Sequence, residues 1–379
     1  MRPLTLTTDE LDSLASGHGS DEAITQLLAG QLAKRRILLW GVVRDARAAG
    51  RPVEAPVRLL LSVHAHSPRT VDEVLSHPQV DAWASTYPKH GDLGYLHALA
   101  ATAAIRAGLP FTLDVPPVSG VVALPGVGLL AESRIPVRLD WDGATLTADD
   151  APAIIRGGEV VDLRDVNGPV VAIDDFDPYR GQYRTPVARY PADPGPFAGR
   201  LRDAWDLIAT EHPSQARATR MMLRSIVPLG GTGDQAEHSA SSIRASGAIA
   251  MAPPRTAASM ALLLLHELQH LKLSALIDLI DLDTGNPEAR FDAAWRADPR
   301  PIRGLLQGTY AHLAVTEFWR PRHRRQFAYW HRQTGRAVAA LAGSGSSPRP
   351  ESGSSRECAE RSTLGPGTPS PPRTVASPR

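Results

Sequence analysis

Cysteine is all but missing from this chain: Cys358 is the single one in 379 residues. Intramolecular disulfides are therefore excluded, and so is a metal held by a cluster of thiolates. An excess of charge of either sign is missing too. The 41 basic side chains are matched by 40 acidic ones, so no field draws nucleic acid or a membrane surface, and neither is expected as a partner. The opening stretch, Met1-Arg2-Pro3-Leu4-Thr5-Leu6, lacks the apolar core of a secretory signal. No uninterrupted apolar run reaches the length of a membrane span. These absences favour a cytoplasmic protein, long enough for one large or two ordinary domains.

What is present reads as an α+β chain, predominantly helical. Residues 9–48 and 57–108 carry helical periodicity, with Thr8-Asp9-Glu10-Leu11 and Asp21-Glu22 as start signals. The character changes at 110–175, where short β-like runs such as Phe111 to Val115 and Val170 to Ile173 alternate with Gly, Pro and Asp turns. A small antiparallel sheet is expected there, closing on the carboxylates of Asp174, Asp175 and Asp177. Helices resume at 196–224. Two strands, 225–229 and 247–251, flank a polar loop and lead into a C-terminal helical region. Four segments follow from this: a helical part at 1–110, a β-rich part at 111–195, a helical region at 196–342, and a Gly/Ser/Pro tail at 343–379 too poor in apolar residues to fold. Cys358 falls in that tail.

The most informative stretch runs from Met260 to Ile277, one helix apolar on nearly every side with His266-Glu267-Leu268-Gln269-His270 in its middle. Positions four apart stack on one helical face, so the two imidazoles can share one ion. Glu267 points roughly 100° away, beside that site. Polar groups in a Leu-rich helix are costly to bury unless something pairs with them, and a divalent metal would. A third ligand is needed. His312, on the buried helix 302–319, is favoured over Asp278, which lies roughly 12 Å along the same helix from His270. Glu317, five residues from His312, shares no face with it. His64, His66, His77, His90 and His97 show no ligand spacing and read as surface or satisfied core residues. By default such a helix belongs to a zinc peptidase with Glu267 as general base, yet the spacing H-E-x-x-H-x-x-G-x-x-H is absent.

Beyond the metal motif, the chain resembles the bacterial H-E-x-x-H peptide-modifying proteins, 2-oxoglutarate-dependent peptide β-hydroxylases. The likeness rests on His266 to Leu276, on Trp295-Arg296-Ala297-Asp298-Pro299-Arg300-Pro301, and on Leu306-Gln307-Gly308-Thr309-Tyr310-Ala311-His312 through Trp319. Asp174 to Arg180, Val227 to Leu229 and Leu14 to Gly19 add to it, so it covers about residues 5–342. The chain departs from the family after Gly343, where low complexity replaces further ordered sequence. The resemblance implies an Fe(II) centre, 2-oxoglutarate and O2 as co-substrates, and a ribosomally made precursor peptide as target. A radical-based peptide maturase in the same pathway would fit that implication. Imidazole ligands suit Fe(II) as well as zinc. The far carboxylate of 2-oxoglutarate wants a planar bidentate cation, and Arg300, then Arg303, are the candidates. Glu267 would then be a supporting group or an acidic ligand instead of a hydrolytic base.

Overall fold

Thr7 opens the first helix through a capping box: its hydroxyl accepts from Glu10 N, and the Glu10 carboxylate accepts from Thr7 N. The computed structural model describes residues 4–190, 195–230, 237–282, 289–296 and 298–343. The tail with Cys358 lies outside them. Helix α1 (Thr8–Ala15) is followed by the long α2 (Asp21–Ala48), capped by Ser20. Then come α3 (Glu54–His66), α4 (Pro68–Leu75), α5 (Gln79–His90) and α6 (Gly94–Ala107). Gly91 and Gly108 end the last two in the left-handed region, which costs a glycine little.

The β-rich stretch holds β1 (Phe111–Val115), β2 (Val121–Leu124), β3 (Gly128–Glu132), β4 (Val137–Trp141), β5 (Leu146–Ala148), β6 (Ala151–Pro152), β7 (Val160–Asp162) and β8 (Val170–Ile173). The expected antiparallel sheet is β1-β4-β5-β6, with β2 and β3 as a separate hairpin. The last two strands leave it. β7 and β8 join β9 (Ser225–Pro228), β10 (Ser239–Ser241) and β11 (Ala248–Met251) in a sheet ordered β10-β11-β9-β8-β7. Its central pairs β8–β9 and β9–β11 are parallel. Buried apolar runs like Ile226-Val227 and Ala248 to Met251 do not announce their pairing partner, so the sequence pattern could not assign them. β10, inside the expected polar loop, forms an edge of this sheet, and β11 lies one strand in.

The helical stretch at 196–224 is two helices, α7 (Gly195–Glu211) and α8 (Pro213–Met222), because Pro213 cannot continue a helix. After β11 come α9 (Ala257–Ile277), the short pair β12 (Arg290–Phe291) and β13 (Arg300–Pro301), α10 (Ile302–Trp319) and α11 (Arg324–Gly343). The fold is α+β and predominantly helical.

Two large cores organise it, and they cut across the four segments read from the sequence. One packs α3–α6 against β1–β4 around Trp83, Tyr95 and Leu99. The other packs α7–α10 around the mixed sheet and takes in α1. Helix α2 serves both: Ile24 and Leu27 enter the second core, Val42 and Ala46 the first. By length and composition α9 could span a membrane, but most of it is buried inside this protein.

Candidate metal centre

Helix α9 starts at Thr256, whose hydroxyl accepts from Ser259 N, and runs without Gly or Pro. Leucines on every side bury it between α10, α7, α8 and α2, which is why its polar residues are held in fixed positions.

The structure brings His266, His270 and His312 together. Ring centres of His266 and His270 lie 4.9 Å apart, and those of His266 and His312 lie 5.4 Å apart. An ion bound about 2.1 Å from each ring nitrogen would stand about 3.2 Å from each ring centre. Two such ligands at tetrahedral-to-octahedral angles have centres roughly 4.6–5.3 Å apart; the His266–His270 spacing falls inside that range and the His266–His312 spacing just beyond it. The outer nitrogens are anchored. His270 Nδ1 donates to Gln307 Oε1 at 2.9 Å, and His312 Nδ1 donates to the Gly308 carbonyl at 2.7 Å. Both rings thereby present the Nε2 lone pair, the arrangement a metal-binding imidazole needs. His312 is stacked on Trp295 (4.2 Å, 15°) and lies 4.9 Å from the tilted Trp330 ring.

Glu267 is buried, and its carboxylate faces β10. Ser239 donates to Oε1 at 2.8 Å and Ser241 to Oε2 at 2.7 Å. The two serines alternate along the strand and so share a face. That alternation in His238-Ser239-Ala240-Ser241 was the available signal for them. Both carboxylate oxygens are thus engaged, and the group ties the edge strand to α9.

The arginines separate. Arg300 lies against the start of α10, where a Cβ on Gly304 would meet its guanidinium at 3.1–3.3 Å, and it contacts Asp298 at 3.4 Å. Gly304, Gly308 and His312 are spaced four apart and share one face. The guanidinium therefore sits about one turn, roughly 6 Å, from the Gly308 level toward which the His312 ring leans. Arg303 is 64% exposed and reaches Asp281 at 4.0 Å. Asp278 faces α2, bonded to Gln31 and Lys34, and Glu317 pairs with Arg320. Neither faces the histidines.

On the opposite side of α9, Lys272 is fully buried and donates to the Gly17 and His18 carbonyls and to Gln215 Oε1 at 2.6–3.1 Å. Burial pushes its ammonium down to about 7. Gln269 and Gln215 also donate to Gly17 O. The loop after α1, through its Gly17 and His18 carbonyls, is therefore latched onto α9.

A second titratable cluster lies at the end of β8. One donor atom from each of His77, Asp174 and Asp177 falls within 4.8 Å of the others. It is closed by its own hydrogen bonds. Asp174 accepts from Asp177 N and Gln79; Asp177 accepts from Tyr179 N, Tyr95 and His77. Every carboxylate oxygen has a protein donor, so this set satisfies itself. Burial, followed by the charge of Asp177, raises the Asp174 carboxyl to about 6.

No protein-family model matches the chain, and no curated protein matches it either.

Proposed function

We propose that this protein is an Fe(II)- and 2-oxoglutarate-dependent hydroxylase acting on the β-carbons of side chains in a ribosomally made peptide. The observation that supports the reading is the histidine cluster: the rings of His270 and His312 lie within 5.4 Å of the His266 ring, and each donates through Nδ1 and so keeps Nε2 as an acceptor. Three neutral imidazoles suit Fe(II) and leave coordination positions for small co-substrates. When bound, the metal lets oxygen and 2-oxoglutarate react together: one oxygen atom enters a peptide C–H bond, the other enters succinate, and CO2 leaves.

The chain's own residues would bind and orient. Arg300 is the candidate for the far carboxylate of 2-oxoglutarate: partly buried, about one turn from the His312 ring, and engaged with Asp298 through one long contact. Arg303, largely exposed, is the weaker choice. Glu267 would hold β10 beside the metal, with its carboxylate already accepting from two hydroxyls. That occupancy counts against a general base poised over a metal-bound water, the role a zinc peptidase requires. An edge strand next to the centre suits an extended peptide, which adds to a sheet through backbone hydrogen bonds.

The test is anaerobic reconstitution with Fe(II), then 2-oxoglutarate, recording the visible metal-to-ligand charge-transfer band. The expected result is a band that needs both components and that Arg300→Ala weakens at least tenfold in apparent 2-oxoglutarate affinity. Retention of one zinc through dialysis, with no such band, would reject the hydroxylase in favour of a zinc peptidase.

A further inference from the structure

One turn of α10 holds two of the three histidines. The Gly308 carbonyl accepts from His312, four residues on in the same helix, and Gln307, immediately before it, reaches across to His270 on α9. The two contacts differ in kind. His312 is anchored by its own backbone, so its tautomer is set wherever the helix forms. His270 Nδ1 is met by a side chain from another helix.

A packing role alone does not explain a glutamine here. Helices α9 and α10 already meet along their length through Leu264, Leu268, Tyr310 and Ala314. An apolar side chain of the same length would bury as well without the desolvation penalty of an amide. The amide oxygen does what an apolar group cannot. As an acceptor it holds the proton on Nδ1 and the lone pair on Nε2.

We infer that Gln307 is the positioning residue of the centre, fixing the tautomer and ring plane of His270 and thereby setting metal affinity; this rests on the metal-centre reading above. Removing an outer hydrogen-bond partner of a metal-bound histidine weakens binding by about 10–100-fold.

The probe is Co(II), titrated into the full chain against a chromogenic chelator, with the cobalt visible spectrum as a second readout. Gln307→Met keeps length and burial but has no acceptor, and is expected to bind Co(II) 10–100-fold more weakly with an altered band envelope. Gln307→Glu keeps the acceptor and should remain within about threefold of the parent, a rescue that loss of packing would not give. Parent-like affinity in Gln307→Met overturns the inference. So does a Gln307→Glu protein as weak as Gln307→Met. If Gln307→Met fails to fold, Gln307→Glu alone decides, by parent-like affinity or by its loss. A parent chain that takes up no Co(II) rejects the metal-centre reading itself, a result distinct from an unequal response of the variants.

Discussion

Glu267 shows how far a residue's chemistry depends on what holds it. In the sequence it is the middle of His-Glu-x-x-His and invites the role of base. In the structure each of its oxygens accepts a serine hydroxyl from β10. A hydroxyl can reverse its donation and accept from an amide, so Glu267→Gln should keep both contacts and the strand in place. On the proposed hydroxylase reading, the expected outcome is metal uptake and turnover within about tenfold of the parent. A peptidase whose general base is removed would instead lose about 10²–10⁴-fold in rate. Steady-state assay of the variant separates the two, and a loss of that size would sink the supporting role assigned to this carboxylate.

Helix α10 carries two glycines on one face whose surroundings make opposite demands. A Cβ at Gly308 would stand 2.6–2.7 Å from three atoms of the Trp295 indole, a rigid ring that also stacks on His312. A Cβ at Gly304 would meet the end of the Arg300 side chain at 3.1–3.3 Å, and that end can swing aside. Alanine gains up to about 1 kcal/mol over glycine inside a helix, whereas overpacking a rigid contact costs about 1–3 kcal/mol. Gly304→Ala should therefore be neutral or slightly stabilising, and Gly308→Ala destabilising with a shifted tryptophan emission. Urea unfolding of the two variants decides it; equal midpoints would refute the contrast. Helix α9 with His266 and His270, and His312 on α10, were legible beforehand because period, length and a buried polar motif all reside in two contiguous stretches. The partners that complete the site were not. Gln307 lies on α10 itself, but Ser239, Ser241 and the Trp295 stack come from two other segments, and no local pattern states which helix a glutamine will face. The mixed sheet escaped for a related reason: β8, β9 and β11 are short buried runs whose parallel pairing depends on the helices that return the chain.

At the scale of the whole molecule, α2 runs through both cores and the seam between them is polar. Arg35 bridges it, donating to the Ser76 carbonyl on one side and the Ser246 carbonyl on the other. The cluster at the end of β8 does the same through side chains: Asp174 and Asp177 follow a strand of the mixed sheet, while Gln79, His77 and Tyr95 belong to the α3–α6 core. Burial and the neighbouring Asp177 carboxylate raise Asp174 to about 6, whereas an unfolded chain releases that proton near pH 4. Between those values the folded state binds more protons than the unfolded one. Stability from this group is therefore greatest at and below about pH 4, falls as the pH rises toward 6 by up to about 1.4 kcal/mol per unit, and is level above that. Asp174→Asn keeps an acceptor for Asp177 N but cannot titrate. Its unfolding free energy relative to the parent should rise between pH 4 and 6 and then stay constant. Parallel curves across that interval would mean that Asp174 is already ionised in the fold, and that the seam is held by a full buried charge balanced from the His77 side.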